Sequence, residues 1–218
     1  MGIRTIPIYL LSPTPKMGVR HLPMIQFQTI PQSIHFEHFN GLIITSKQGI
    51  IALNEISGGA WRQLPVAAIG KMTANAVEEY GGKVIYTASK AYGDILAQEL
   101  ATHFVNYRWL YPRPKVVVSS IAAHLRSAGI EVVEKVIYET TCVSYSEKEE
   151  PLEGAILIFS SPSIVHCFLK NFGWDSTWCA VAIGQKTAAA FPNHIIPKIS
   201  PSPSIDEAIE FAKNLASY

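Results

Sequence analysis

The sequence predicts an α/β protein of two similar domains, each a parallel β-sheet flanked by helices, joined by a two-stranded β ladder. The first observation is a set of short apolar runs, such as LII from Leu42 and AILIF from Ala155, that do not alternate with polar residues. Such runs are typical of strands covered on both faces, as in parallel sheets. The second observation is that one order of motifs occurs twice, which predicts two copies of one folding unit.

Length and composition limit the classes of protein that fit. The 218 residues suit one large or two small domains, and a composition that is 48% hydrophobic and 16% charged allows a substantial core and argues against disorder. A formal charge of +1 argues against non-specific nucleic-acid binding, which needs a basic excess. An anionic small ligand stays compatible, because lysines and helix N-termini supply local positive potential.

The repeat consists of three blocks that keep their order and nearly constant spacing. In each copy a strand ends at Ser or Thr, and a stretch with apolar residues at helical spacing follows. A second strand ends in Ile-Gly before a helix that starts near Thr73 or Thr187. A third strand leads to Ser89 or Ser204 and a third helix. The matching blocks are Thr45-Ser46 with Ser160-Ser161, residues 67–76 with 181–190, and residues 83–100 with 198–215.

A fourth block, residues 109–140, has the pattern strand, helix, strand. The N-terminal segment starts in the same way but is too short for a full helix. Because this partner of the fourth block precedes the first repeat, we expect the chain to begin in one domain, build the other and return. The predicted bounds are 1–31 plus 142–218 for a discontinuous domain, 32–136 for an inserted domain, and 27–33 and 135–142 for crossing hinge segments that lie side by side.

The cysteines and the N-terminal apolar run indicate the compartment. Cys142, Cys167 and Cys179 show no metal-binding spacing, and we expect them to be buried reduced thiols. The run from Ile6 contains Pro7 and is too short for a signal core or a membrane span. We therefore expect a soluble cytoplasmic protein.

Hydroxyl side chains end most of the predicted strands, often beside a lysine. Ligands of parallel α/β sheets bind beyond the carboxyl ends of the strands. Each hydroxyl alone is explained as a helix cap, and each lysine as surface charge. Together, on two units facing each other across a cleft, they predict a receptor for a polyanion. The residues are Thr45, Ser46, Thr73, Ser89, Ser160, Ser161 and Thr187, with Lys47, Lys71, Lys90 and Lys186.

Several catalytic motifs do not occur. The sequence has no GxGxxG, P-loop or GxSxG motif, its 7 histidines show no metal spacing, and no paired carboxylates lie near the strand ends. Tyr138 stands in the crossing segment VIYETT. It is either structural or a proton donor to a leaving oxygen, although a phenol with a pKa near ~10 is a weak acid.

The ordered motifs resemble the uroporphyrinogen-III synthase family. This resemblance implies a HemD-like fold, and cyclisation of hydroxymethylbilane with inversion of ring D and loss of water. The product is uroporphyrinogen III, in tetrapyrrole (haem) biosynthesis. It implies a lyase that uses no cofactor and no metal. The matching segments are LIITS (42–46), AIGKMTANAVEEYG (68–81), GIEVVEKVIYET (129–140), LIFSSPSIVHCFL (157–169) and AIGQKTAAA (182–190).

The resemblance also implies roles for residues. Tyr138 is expected to be the catalytic residue that assists loss of the ring A hydroxyl. Two departures from the family pattern affect the expected cleft wall: the shortened segment SPTPKMGVRH, and Pro192, which ends a helix early. With the strand-end argument, the expected substrate-binding residues are Thr45, Ser46, Lys47, Thr73, Ser89, Ser160, Ser161, Ser163 and Thr187.

Two other functions stay open at this point. A non-catalytic two-domain binding protein for an anionic metabolite would have the same hydroxyls but no role for Tyr138. A two-domain transferase of the nucleotide-sugar type fits less well, because such chains are usually longer. The expected partners are the small-molecule substrate and, in transient contact, the preceding pathway enzyme. We expect a monomer that binds neither nucleic acid nor membrane.

Overall fold

A computed structural model describes residues 6–117 and 119–217 of the chain. These residues group into two units. Unit 1 contains residues up to 26 and from 141 onward, and unit 2 contains residues 27–140. The strands are β1 (Ile8–Leu10), β2 (Arg20–His21), β3 (Ile25–Thr29), β4 (Gly41–Ile44), β5 (Pro65–Ala68), β6 (Lys83–Thr87), β7 (Arg108–Pro114), β8 (Glu131–Cys142), β9 (Ile156–Phe159), β10 (Cys179–Ala182) and β11 (Lys198–Ile199). The helices are α1 (Lys47–Ser57), α2 (Lys71–Glu79), α3 (Gly93–His103), α4 (Ile121–Ser127), α5 (Pro162–Phe172), α6 (Gln185–Ala188) and α7 (Ile205–Ala216).

Unit 1 is built on a sheet with the strand order β11-β10-β9-β1-β2, in which neighbouring strands are parallel. Successive residues of β9 enter different cores. Leu157 packs in one cluster with Phe168 of α5, whereas Ile158 packs in another with Ile209 of α7. All of β9 is therefore buried, which explains why its sequence is apolar at every position.

Unit 2 is built on a sheet with the order β3-β8-β7-β4-β5-β6, parallel from β8 to β6. Its central strand β4 is covered on both faces in the same way. Leu42 packs in a cluster with Leu53 of α1, and Ile43 packs in a cluster with Leu96 of α3. The predicted α/β class with parallel, helix-flanked sheets is confirmed.

The first residue of β4 is a glycine because a tryptophan ring occupies its side-chain position. Gly41 is in register with Trp109 of β7, and a Cβ built on Gly41 would lie 2.5 Å from the ring atom Cζ3. Trp109 is fully buried and stacks on Tyr107, with ring centroids 4.8 Å apart. A glycine therefore precedes the apolar run LII, because the Trp109 ring occupies the space that a side chain at position 41 would need.

Strands β3 and β8 are neighbours in the sheet. β3 and β8 are adjacent in the sheet order, and the backbone N–H of Ile30 donates to the carbonyl of Ile137 at 2.8 Å. The side chains of Phe27 and Tyr138 meet edge to face, with ring centroids 6.3 Å apart. Both strands contain a boundary between the units, at 26/27 and at 140/141.

Two local expectations need correction. The helices expected to start near Thr73 and Thr187 begin earlier, at Lys71 and Gln185, so each threonine lies within its helix instead of opening it. The backbone N–H of Thr73 donates to the carbonyl of Gly70 at 3.0 Å, and that of Thr187 donates to Gly184 at 3.1 Å. The Ile-Gly turn, not the threonine, sets the helix start.

The prediction of reduced thiols is wrong for two of the three cysteines. Cys142 and Cys167 form a disulfide that links the end of β8 to α5 within unit 1, whereas Cys179 is a free thiol. No sequence pattern indicated this pair, because the residues stand 25 positions apart and meet only after folding. Their Cα atoms lie 5.3 Å apart, in the ordinary range for a disulfide.

Candidate active site

A pocket of about 430 Å³ lies in unit 2, where residues that follow strands β4, β5 and β7 come together. Thr45 and Ser46 line it directly after β4, and Tyr111 and Tyr138 line it from β7 and β8. Asp94 adds a carboxylate from the first turn of α3. The pocket therefore stands at the carboxyl ends of parallel strands, where ligands of α/β folds bind.

Ser46 and Tyr138 form the central contact of this pocket. The Oγ of Ser46 and the phenol oxygen of Tyr138 are 2.8 Å apart. Ser46 is also the N-cap of α1, because its Oγ accepts a hydrogen bond from the backbone N–H of Gly49 at 2.9 Å. A single hydroxyl thus joins the amino end of a helix to a phenol that is only 5% exposed.

The surroundings of Tyr138 keep its phenol protonated. Burial raises the pKa of Tyr138 above its ordinary value, because the charged phenolate is poorly solvated there. The hydrogen bond with Ser46 acts in the opposite direction and lowers this pKa, while the nearby Tyr111 raises it. The net shift is upward, so near neutral pH the group is a proton donor and not a base.

The other hydroxyls and the lysine predicted for unit 2 have different surroundings. Thr73 is buried in α2, with 7% of its surface exposed. Ser89 is exposed and bonds through its hydroxyl and its backbone N–H to Glu99 of α3, which lowers the pKa of that carboxyl. Lys47 lies 3.7 Å from Glu79, with both side chains largely exposed. Of the unit 2 residues predicted for the site, the structure brings Thr45, Ser46 and Tyr138 to this pocket.

The corresponding hydroxyls of unit 1 cluster at the start of α5. Ser160 follows β9, Ser161 is the N-cap of α5, and the hydroxyls of Ser161 and Ser163 are 3.0 Å apart. Unlike Ser46, Ser161 makes no side-chain hydrogen bond to the backbone of its helix. Thr187 is 3% exposed within α6. Ser161 and Ser163 are therefore the hydroxyl pair that unit 1 assembles.

Residues that the sequence analysis missed also line the unit 2 pocket. Tyr111 is 2% exposed and was part of an apolar strand in the sequence, so only the pocket reveals it. Tyr92 and Val116, which are 60% and 80% exposed, form an apolar lip with Val117. The sequence did carry one signal: valines begin at Val116, after β7 has ended at Pro114.

Other kinds of site are not found in the described ranges. Among residues 6–117 and 119–217, no group of His, Cys, Asp and Glu side chains could hold a metal ion. In the same ranges, no helix has the length and apolar character that crossing a membrane requires. The polar side chains that line the pocket are hydroxyls, phenols and one carboxylate.

The chain consists of two α/β units, each built on parallel strands. A buried phenol hydrogen-bonded to an N-cap serine lines a small-molecule pocket at the strand ends of unit 2, which is typical of an α/β enzyme. The family described as uroporphyrinogen-III synthase HemD matches residues 17–210. The chain belongs to this family. Its function is that of a uroporphyrinogen-III synthase, a cyclising lyase of haem biosynthesis. The family acts on the small molecule hydroxymethylbilane.

Solved structures agree with this assignment. Uroporphyrinogen-III synthetase from Helicobacter pylori is 25% identical and has a TM-score of 0.82, over 96% of this chain and 99% of that chain. A mutant uroporphyrinogen III synthase from Thermus thermophilus is 15% identical with a TM-score of 0.59, over 98% of this chain and 100% of that one, and supports the fold alone. A search of curated proteins found no match.

Proposed function

We propose that Tyr138 donates the proton that lets the ring A hydroxyl of hydroxymethylbilane leave as water. The supporting observation is the position of the phenol, which lies buried in the wall of the unit 2 pocket with its oxygen 2.8 Å from Ser46. A protonated phenol beside a leaving oxygen is a general acid. This role separates the enzyme from a protein that only binds the bilane.

The proposed reaction balances without a cofactor. The C–O bond of the hydroxymethyl group breaks, and the hydroxyl oxygen keeps the bonding electron pair, takes the phenol proton and leaves as water. The lone pair of the pyrrole nitrogen stabilises the remaining carbon as an azafulvene cation. Tyr138 remains as a phenolate. The cationic carbon then bonds to ring D at its substituted position and gives a spiro pyrrolenine, whose rearrangement inverts ring D. The proton released when pyrrole ring D regains its aromaticity returns to the phenolate. Positioning and charge control are the main demands of such a path.

The hydroxyls at strand ends are proposed to bind the substrate carboxylates. Thr45 supports this role in unit 2, and Ser161 with Ser163 supports it in unit 1, because each stands beside the start of an 11-residue helix. Backbone N–H groups and the helix dipole favour anions at such positions. Ser160, Thr73 and Thr187 are proposed for the same task through the backbone beside them, whereas Ser89, whose hydroxyl and N–H are bonded to Glu99, stays a prediction from the sequence.

Lys47 is proposed as a carboxylate partner that the substrate recruits from Glu79. The ion pair between Lys47 and Glu79 is 3.7 Å long, and 63% of each side chain is exposed. Exposed pairs of this kind contribute at most about 1 kcal/mol. A substrate carboxylate at the start of α1 can therefore replace Glu79 at little cost.

The apolar lip is proposed to receive a pyrrole ring of the bilane. Val116 and Tyr92 are largely exposed, yet they border a pocket whose inner wall carries polar groups. A flat aromatic ring that covers them removes apolar surface from water, which stabilises the bound state by about 25 cal/mol per Å². The carboxylates of the same substrate would then extend toward the hydroxyls.

The proposal is tested by supplying hydroxymethylbilane and separating the product isomers. Without enzyme the bilane closes to the type I isomer, so formation of the type III isomer measures the enzyme directly. We expect Tyr138→Phe to lower turnover by about 100-fold, within the range for loss of a general acid. Tyr145→Phe is the matched control, because Tyr145 is a partly buried phenol that donates to the carbonyl of Pro23 at 2.8 Å in unit 1. Type I product alone from the wild-type chain, or full turnover by Tyr138→Phe, would overturn the proposal.

We further propose that the chain acts as a monomer and takes its substrate by transient contact with the preceding pathway enzyme. The support is chemical, because a bilane that closes spontaneously is lost during free diffusion. Sedimentation of the chain alone, and transfer kinetics with and without a trap for free bilane, test the two parts. A cytoplasmic location stays a prediction from the sequence.

A further inference from the structure

The hydroxyl of Ser46 can donate one hydrogen bond and accept two. Its Oγ accepts the backbone N–H of Gly49 at 2.9 Å, which fills one acceptor position. Its contact with Tyr138, at 2.8 Å, uses either the serine hydrogen or the phenol hydrogen. The direction of this second bond decides whether the phenol proton is available to a substrate.

We propose that Ser46 is a positioning residue that donates its hydroxyl hydrogen to the phenol oxygen of Tyr138, which leaves the phenol proton free for the substrate. The inference rests on the proposed role of Tyr138 as the acid. It differs from the role expected for Ser46 in the sequence analysis, which was direct contact with a substrate carboxylate.

The chemistry of the deprotonated phenol supports this direction. A phenolate has no hydrogen to donate, so once the proton has left, Ser46 must be the donor in the 2.8 Å contact. The chain of hydrogen bonds then runs from the N–H of Gly49 to Ser46 and on to the phenolate. These bonds connect the negative charge of the phenolate to the amino end of α1, whose partial positive charge stabilises it. The first turn of this helix carries Lys47 and no acidic residue.

The space around the contact suits a hydrogen bond of fixed geometry. A Cβ built on Gly49 would lie 3.3 Å from the Oγ of Ser46 and 3.9 Å from Cε1 of Tyr138. Only the first of these distances is tighter than an ordinary contact, so the missing side chain at Gly49 leaves room for the Ser46 hydroxyl at the helix start. Phe27 packs edge to face on the phenol ring from the other crossing strand and limits its movement.

Other charged or titratable groups near the phenol do not replace Ser46. Tyr111 on β7 opposes ionisation of Tyr138, and Asp94 on α3, a second negative group in the pocket, would do the same. Two lysines of the adjoining segments are paired with carboxylates: Lys47 with Glu79, and Lys115 with Glu139 at 2.8 Å. Among residues 6–117 and 119–217, Ser46 is the side chain hydrogen-bonded to the phenol oxygen.

The inference is tested with three substitutions that share a helix cap but differ in proton donation. Ser46→Thr keeps the hydroxyl, Ser46→Asp keeps a good N-cap but offers acceptors only, and Ser46→Gly keeps most of the cap stability without a side chain. We expect Ser46→Thr to stay within a few-fold of wild-type turnover. Ser46→Asp and Ser46→Gly should lose about 10- to 100-fold in kcat with little change in KM. Ser57→Ala, at the other end of α1, is the control with full turnover, since Ser57 bonds only to nearby backbone.

Two further readouts separate this role from a structural one. With fluorotyrosine at position 138, whose phenol titrates at lower pH, fluorine NMR should show a higher pKa in Ser46→Asp and Ser46→Gly than in wild type. In a Tyr138→Phe background, Ser46→Gly should cause no further loss of kcat, because the two groups act as a unit. Wild-type turnover in Ser46→Asp, an unmoved phenol pKa, or additive losses would each overturn the inference. The titration needs no turnover, so it tests Ser46 even if the proposed reaction fails.

Discussion

Replacement of Gly41 by alanine is expected to destabilise the core of unit 2 through one steric contact. The added Cβ would lie 2.5 Å from Cζ3 and 2.9 Å from Cε3 of Trp109, whereas carbon atoms normally approach to about 3.5–4.0 Å. Trp109 cannot retreat, because it is fully buried, stacked on Tyr107 and in edge contact with Phe104 at 5.6 Å. The overlap of about 1 Å must be absorbed by the strand pair β4 and β7.

The magnitude follows from two opposing effects. Overpacking of a buried site costs about 1–3 kcal/mol, and alanine recovers about 0.4–1 kcal/mol by restricting the unfolded chain. A net loss of about 1–2 kcal/mol lowers Tm by roughly 2–8 °C in a chain of this size. Thermal and urea unfolding measure the change against the wild-type chain. A Gly41→Ala protein that melts with the wild type would refute the steric reasoning, as would a failure of Trp109→Leu to restore part of the loss.

Two more predictions concern the pocket. Val116→Asp should raise KM for hydroxymethylbilane about tenfold, because a carboxylate on the lip repels the substrate and removes apolar contact. Val105→Asp, at a valine that is 60% exposed and does not line this pocket, should leave KM unchanged in steady-state assays. The raised pKa of Tyr138 gives stability that is complete below the ordinary phenol pKa near ~10 and is lost as pH rises toward the folded-state value. Urea unfolding of Tyr138→Phe should therefore show a smaller alkaline loss than wild type, and equal losses would contradict the buried phenol.

Much of the fold follows from local sequence because the strands carry unambiguous patterns. The runs at Leu42 and Ile156 are apolar at every position since each strand contacts helices on both faces. The helix starts at Ser46 and Ser161 follow from hydroxyls placed directly after a strand. Because the same order of motifs occurs twice, the sequence also indicated that the strand end at Thr45-Ser46 corresponds to the one at Ser160-Ser161.

The rest depends on contacts between distant positions. Ser46 and Tyr138 stand 92 residues apart, and no local pattern states that their oxygens meet. Ser89 was predicted as a site residue because it follows a strand, but in the structure its hydroxyl is bonded to Glu99 of α3. The disulfide between Cys142 and Cys167 was missed for the same reason, because three isolated cysteines in a sequence do not indicate a pair.

The position of β1 inside the sheet of unit 1 has a consequence for synthesis. β1 lies between β2 and β9, but β9 leaves the ribosome only after the whole of unit 2, residues 27–140. During that interval one edge of β1 has no partner, and an open strand edge pairs readily with foreign strands. Unit 2 is continuous in sequence and can fold first, whereas unit 1 must wait for its distant half. Nascent chains halted before residue 156 should therefore be the form of this protein most prone to aggregation.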